Sequence, residues 1–324
     1  MKRRELLAGL GAAIVFSRAA EGQQSMAVIG LLGSSAPDDY QPMIAVFRKG
    51  LNEAGYLEGR NVRFDQAWAN DQYDRLPTLA SGLVERRVSL ILAASTPSAI
   101  AAKSATTTIP IVFAIGGDPV RTGLVSSLNR PGGNLTGAAH INVDTAAKRL
   151  ELLHELVPNK KSFGLLLNPS NPLASSIETE VRAAAEALGL QLTVLHASTD
   201  ESIEAAFKTA TGGAIGGIVI GTDPLFTSRV KALGTASFQF RIPAIYQYRD
   251  FVAAGGAMSY GGDIKDSYYH AGIYAGRILN GEKPADLPVQ LSTKVELFIN
   301  LKTATALGIE PSVALVGRAD DVIE

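Results

Sequence analysis

Short runs rich in valine, isoleucine and leucine alternate along this chain with segments whose apolar residues recur every three to four positions. This is the pattern of buried parallel strands joined by amphipathic helices. Residues 27–32 form the first expected strand. Met43, Val46, Phe47 and Leu51 then fall at helical spacing, and Gly55 supplies a stop. The series continues with a strand at 62–68, a helix at 74–86, a strand at 89–93, a short helix after Pro97 and a strand at 111–115. A Gly-rich break, Pro131-Gly132-Gly133-Asn134, separates this series from a second one. There, Asp144 is placed to cap a helix carrying Leu150, Leu153 and Leu156, and a strand follows at 163–167. Helices at 175–188, 201–210 and 225–236 alternate with strands at 192–195, 217–220, 243–246 and 257–260, and Asp263 caps a long helix to Asn280.

Parallel strands need crossover connections, so repeated strand-helix units with short turns specify doubly wound lobes. The expected fold class is α/β, with two doubly wound parallel-sheet lobes joined by a hinge. The first lobe is assigned residues 26–139 together with 263–324, and the second 140–262. The tail, with a strand at 295–299, is too short for a domain of its own and is expected to return to the first lobe.

A length of 324 residues suits two lobes, and 46% hydrophobic residues suffice to fill both cores. The net charge of -1, with no basic run beyond the first residues, offers no footprint for a phosphate backbone and excludes nucleic acid as a partner. Cysteine is absent, which removes disulfides, thiolate nucleophiles and Cys-ligated metals. At the N-terminus, Lys2, Arg3 and Arg4 precede an apolar stretch from Leu6 to Phe16, followed by Ala19, Ala20 and Gly22. That layout is a secretory leader over residues 1–22, cleaved before Gln23, for export by the general secretory route or, as Arg3-Arg4 suggests, the twin-arginine route. The apolar run is shorter than the ~20 residues a membrane span requires.

In open α/β sheets ligands sit beyond the carboxyl ends of the strands, so the turns there carry the candidate chemistry. Those turns contain Ser34; Ser95, Thr96 and Ser98; Asp118; Asn168, Ser170 and Asn171; Asp223; Tyr246; and Tyr260. Residues 95–98 open a helix whose free N–H groups favour a carboxylate. Asp223, or Asp118 in the matching turn of the other lobe, is suited to an ammonium group. Tyr246 and Tyr260 are suited to cover apolar surface. The combination fits a zwitterion held between lobes. Each of these residues also has an ordinary reading, as a helix cap or as core.

Of the four histidines, His154 lies in a leucine-rich helix and His196 ends a strand, and none of the four completes a metal motif. His140 follows the break between the series and is placed to line the cleft. No G-x-S-x-G elbow or Walker A loop is present, and Gly30-Leu31-Leu32-Gly33 lacks the dinucleotide spacing. No catalytic residue, metal or cofactor is assigned. A periplasmic enzyme and a sensory binding protein are the alternatives that the same cleft would serve.

Phe47-Arg48-Lys49-Gly50-Leu51 with Gly55-Tyr56, Gly59-Arg60-Asn61-Val62, the segment 94–99, Pro110-Ile111-Val112-Phe113, Gly117-Asp118-Pro119-Val120, the segment 131–137 and Asn300-Leu301-Lys302-Thr303-Ala304 follow in order. With them the chain resembles the ABC-type substrate-binding proteins that include the tryptophan- and tyrosine-related importer component, of type I-like periplasmic fold. The resemblance implies a periplasmic, monomeric protein that captures a small polar solute, such as an amino acid or related carboxylate. It would deliver that solute to a membrane permease driven by a separate ATPase, touching the membrane complex only peripherally. Members resembling aromatic amino-acid binders carry a Ser-Ser-Glu type turn where this chain has Asn168-Pro169-Ser170-Asn171-Pro172.

Overall fold

The structure, a computed structural model, describes residues 26–324 apart from 141 and 214. The expected leader at 1–22 lies outside the described residues. In chain order the first lobe is built from β1 (Ala27–Gly33), α1 (Pro37–Glu53), β2 (Val62–Trp68), α2 (Leu76–Glu85), β3 (Leu90–Ala93), α3 (Thr96–Ala105), β4 (Ile111–Ile115) and β5 (Leu135–His140). The second contains α4 (Ala146–Leu156), β6 (Ser162–Leu167), α5 (Ala174–Ala187), β7 (Gln191–His196), α6 (Asp200–Gly212), β8 (Ile218–Ile220), α7 (Pro224–Ser228), α8 (Val230–Gln239), β9 (Ala244–Tyr246), α9 (Arg249–Ala253) and β10 (Met258–Gly262). The chain closes with α10 (Ile264–Leu279), β11 (Gln290–Ser292), β12 (Val295–Asn300), α11 (Leu301–Ala306), α12 (Val313–Val316) and β13 (Asp321–Ile323).

The strands pair into a six-stranded sheet, β11-β5-β4-β3-β1-β2, and a seven-stranded sheet, β13-β12-β10-β9-β8-β6-β7. Burial on both faces follows from strand alternation. Leu90 and Leu92 of β3 join Ile29, Leu31, Val112 and Ala114 on one face of the first sheet, while Ile91 and Ala93 join Leu32, Ile111 and Phe113 on the other. In the second sheet Phe163, Leu165 and Val219 face one way and Leu166, Ile218 and Ile220 the other. Apolar side chains on both faces demand helices on both sides, and the chain must reverse its winding to supply them. The reversal falls between β1 and β3 in the first sheet and between β6 and β8 in the second, the places where open α/β sheets leave a crevice.

Two features differ from the expectation. The Pro131 to Asn134 break is followed by β5, still in the first sheet, so the first crossing comes after His140. The segment 263–324 also divides between the sheets. Helix α10 packs on α1 and β11 pairs with β5, but β12 pairs antiparallel with β10 and β13 pairs with β12, which places both in the second sheet. The free edge of β10 explains this, because an unpaired edge leaves backbone donors and acceptors unsatisfied. Three crossings result. They converge at Gly262, where a Cβ would stand 3.3 Å from the Lys294 carbonyl and 3.5 Å from His140 Cβ. Asn142 Oδ1 accepts from the Gly262 N–H at 2.6 Å and ties two of the crossings together.

Helix α10 approaches α1 backbone to backbone. A Cβ at Gly272 would overlap the Phe47 carbonyl and stand 2.8 Å from Leu51 N, and a Cβ at Gly50 would overlap the Tyr269 carbonyl. Backbone cannot yield as a side chain does, so Gly272→Ala is expected to destabilise the protein by about 1–3 kcal/mol despite alanine's better helix propensity. Chemical denaturation checks this; an unchanged or raised midpoint would show that the helices do not touch there.

Candidate functional site

The carboxyl ends of β1 and β3 face those of β6 and β8 across the cleft. Between them lies a chamber lined by Tyr40, Met43, Ser95, Thr96, Pro97, Gly116 and His140 from the first lobe, and by Asn171, Leu173, Thr222, Asp223, Pro224, Gln247 and Tyr248 from the second. It measures about 50 Å³, a few water-sized spheres of ~10–15 Å³ each, and adjoins a vestibule of about 550 Å³ past Met43, Gln247 and Tyr248. Admission of a solute to the chamber therefore requires the lobes to part.

Asp223 is the chamber's buried carboxylate, 2% exposed. It sits there because Asp-Pro after β8 opens α7: its Oδ1 accepts from the Leu225 N–H at 2.9 Å. Oδ1 also accepts from Asn168 Nδ2 at 3.2 Å and from the Tyr73 hydroxyl at 3.0 Å, while Oδ2 accepts from Asn171 Nδ2 at 2.8 Å. Tyr73 belongs to the first lobe, so this carboxylate is completed from both sides. Three donors saturate Oδ1, and Oδ2 keeps room for another. Burial pushes the carboxyl up to about 6, against the hydrogen bonds from Asn168, Tyr73, Leu225 and Asn171 that hold it down.

Across the chamber, Ser95 caps α3 and accepts from the Ser98 N–H at 3.2 Å. Its hydroxyl also bonds Ser34 and, at 2.9 Å, Ser98, and Ser34 bonds Ser98 at 3.1 Å. The three serines thus largely satisfy one another. Pro97 has no N–H and the Ala99 N–H donates to the Ser95 carbonyl, which leaves Thr96 to present its N–H and hydroxyl. The α3 start therefore offers fewer donors than a bare helix terminus.

His140 ends β5 with Nδ1 3.2 Å from Ser267 Oγ and Nε2 3.2 Å from the Tyr248 hydroxyl. Burial pulls it down to about 4, so the imidazole is neutral at ordinary pH. Among the described residues, no group of three or more His, Cys, Asp or Glu is placed to hold a metal ion. Behind the second-lobe wall, the Arg149 guanidinium of α4 is fully buried and donates to Thr222 Oγ1 at 3.3 Å. Thr222 in turn donates to Gln247 Oε1 at 2.7 Å.

Of the residues singled out from sequence, Ser95, Thr96, His140, Asn171 and Asp223 line the chamber. Ser34, Ser98 and Asn168 lie behind it as hydrogen-bond partners. Asp118 stands outside, its Oδ1 accepting from the Val120 N–H at 2.7 Å and the Arg121 N–H at 3.2 Å; in its lobe Gly116 meets the chamber instead. Ser170 is exposed on another face. Tyr246 is buried in the second-lobe core with its hydroxyl 3.0 Å from Thr227 Oγ1, and Tyr260 packs against the opposite core. Tyr40, Tyr73, Arg149, Thr222, Gln247 and Tyr248 went unselected. Thr222, Gln247 and Tyr248 lie in turns already read as cleft-facing, one or two positions from the residues chosen. Tyr40, Tyr73 and Arg149 reach the site from helices and a loop, and no local signal marks them.

The lobes also meet directly. Arg229, between α7 and α8, pairs with Asp71 at 3.1 Å and Asp39 at 3.7 Å across the cleft, and with Asp200 of its own lobe at 2.7 Å. Asn70 and Asp71 adopt left-handed conformations, φ 51° and 64°, which these residue types tolerate, and so carry the Asp71 carboxylate to the rim. On another rim Arg121 of the first lobe pairs with Glu180 of α5 at 2.7 Å.

The two α/β lobes have the architecture of type I periplasmic-binding proteins, and polar and apolar groups converge between them. The profile of the family "ABC transporter substrate binding protein" matches residues 37–323, and the chain belongs to that family. It is 31% identical over 265 residues to a tyrosine-binding protein of Clostridioides difficile (strain R20291), covering 82% of this chain and 76% of that one. An ABC domain from Streptococcus pneumoniae solved with L-Trp superposes with a TM-score of 0.81, at 28% identity over 92% of this chain and all of the other. The ligand-free, open structure of a substrate-binding protein with adhesive properties from Clostridium difficile gives 0.61, at 28% identity over 92% of this chain and 99% of the other. With identity and coverage alike, this chain superposes more closely on the L-Trp complex than on the open form.

With the lobes closed and no solute between them, the Asp223 carboxylate is buried. Its closed-state value of about 6 exceeds its ordinary 3.8, so this group favours closure only when protonated, below about pH 4, and that contribution is lost as pH rises through about 6. Solute-free protein is therefore expected to become more compact by solution scattering as pH falls from about 7 to about 4, and Asp223→Asn to show less of that change. Equal responses from the two proteins would assign the pH dependence to other groups.

Proposed function

We propose that this protein captures an amino acid outside the cytoplasm and hands it to the permease of an ABC importer, acting as a monomer and without transforming its ligand. The observation that carries the reading is the remaining acceptor capacity of Asp223 Oδ2, in a chamber that Thr96 lines from the other lobe and whose remaining walls are largely apolar. An α-ammonium group matches Asp223 through a charge-assisted hydrogen bond. The α-carboxylate matches the donors of the opposite wall and of Gln247, and the side chain lies against Tyr40, Met43, Leu173 and Tyr248. Closure then pairs the buried carboxylate with a cation. The names of the relatives that bind tyrosine and L-Trp support an aromatic amino acid.

Export through a leader at residues 1–22 and action in the periplasm agree with the family and with the N-terminal pattern. Among the described residues no helix is long and apolar enough to cross a membrane. A separate ATPase would power the permease.

Titration calorimetry against L-tyrosine and L-tryptophan tests the reading. At least one is expected to bind, and Asp223→Ala to weaken it roughly tenfold to a hundredfold by leaving the ammonium unpaired. Circular dichroism must confirm that the variant is folded, since losing the α7 cap costs ~0.5–2 kcal/mol. Tight binding undiminished in folded Asp223→Ala would make Asp223 a helix cap and nothing more.

A further inference from the structure

Arg149 is anomalous in this fold. Its guanidinium is 0% exposed in the wall behind the chamber, and its neighbours are neutral: Nη1 donates to Thr145 Oγ1 at 3.0 Å and to the Tyr260 carbonyl at 3.3 Å, and Nη2 donates to Thr222 Oγ1 at 3.3 Å. Nε has no acceptor. No carboxylate pairs with it among the described residues, although thirteen ion pairs of Arg or Lys form elsewhere among them. A buried charge without a counter-ion is costly. Burial draws Arg149 down to about 10, which leaves it charged at neutral pH.

The hydrogen bonds that leave Arg149 run toward the chamber. Because the guanidinium only donates, Thr222 Oγ1 must accept from it and turn its own proton outward, onto Gln247 Oε1 at 2.7 Å or the Asn142 carbonyl at 3.2 Å. With Oε1 occupied, the Gln247 amide has a fixed orientation: one N–H of Nε2 donates to the Tyr246 hydroxyl at 3.2 Å. The other N–H remains for the chamber that Gln247 lines. Thr222 lines it as well.

We propose that Arg149 is a positioning residue for the solute's anionic end: through Thr222 it orients Gln247 as a donor, and the carboxylate bound there supplies the negative charge that Arg149 lacks. This inference rests on the amino-acid reading above. It explains how a chamber with no lysine or arginine among its described lining residues holds a carboxylate when the α3 start has spent most of its donors on its own serines. It also sets the polarity of binding, with the ammonium at Asp223 and the carboxylate toward Gln247 and the Thr96 donors of the opposite wall.

The test compares the affinity of L-tyrosine with that of L-tyrosinamide, and of L-tryptophan with L-tryptophanamide, since the amides replace the carboxylate by a neutral group of the same shape with one acceptor oxygen exchanged for a donor. Wild-type protein is expected to prefer the acid roughly tenfold to a hundredfold, and Arg149→Met to lose most of that preference while circular dichroism shows it folded. Thr222→Val severs the chain at its middle link and is expected to reduce the same ratio; it decides the matter if Arg149→Met does not fold. A ratio unchanged in folded variants, even with both affinities lowered, would leave Arg149 a packing residue and overturn the proposal. Equal affinity of wild type for acid and amide would overturn it too while leaving amino-acid binding intact. Wild-type protein that binds neither amino acid would overturn both.

Discussion

The burial of one carboxylate governs this molecule. Asp223 is buried between the closed lobes and depends on donors from both: Asn168, Asn171 and the Leu225 N–H from the second lobe, Tyr73 from the first. Neutral donors soften the desolvation of an anion but do not cancel it, as the upward displacement to about 6 records. A closed but empty cleft is thus under electrostatic tension at neutral pH. In the proposed function a cationic group at Oδ2 relieves it, and the interaction that selects the solute is also the one that makes closure favourable.

The rest of the fold brings that carboxylate and its partners to one place. Winding reversals at β1/β3 and β6/β8 open both sheets toward the same gap, and three crossings gathered at Gly262 leave the lobes hinged along one side. At the rims Arg229 and Arg121 reach across to carboxylates of the other lobe. These ion pairs are partly solvated and screened by salt, and each contributes modestly. They favour closure whatever occupies the chamber, whereas in the proposed function Asp223 makes closure depend on the occupant. That reading places discrimination between solutes at the centre of the cleft.

Much of this was legible in the sequence. Uninterrupted apolar strands such as Leu90–Ala93 and Ile111–Ile115 announce a sheet covered on both faces, and Asp-Pro or Ser-Thr-Pro after a strand announces a helix start at its carboxyl end. Asp223 and Thr96 were found that way. The same rule selected Asp118, whose turn has the matching composition, because local sequence does not reveal that Gly116 rather than Asp118 meets the cleft. Tyr246 was chosen over Gln247 and Tyr248 because the direction of a side chain leaving a strand end depends on the turn that follows. The destination of β12 was hidden for a related reason: Val295–Asn300 reads as a strand, but which sheet it joins depends on the free edge of β10. Tyr73 and Arg149 act over distances that no sequence window spans. An arginine in the leucine-rich stretch of α4 reads as a surface charge until its burial is seen.

The central claim is that a zwitterion at Asp223 closes the lobes. Because the chain contains no cysteine, two introduced ones, Ser104→Cys on α3 and Glu186→Cys on α5, both exposed, would carry spin labels at known sites in opposite lobes. Pulsed electron resonance on this protein, without and with saturating L-tyrosine or L-tryptophan, should show a broad or long interlobe distance that gives way to a single narrow one, with no such change in Asp223→Ala. Binding confirmed by calorimetry with an unaltered distance distribution would contradict the account.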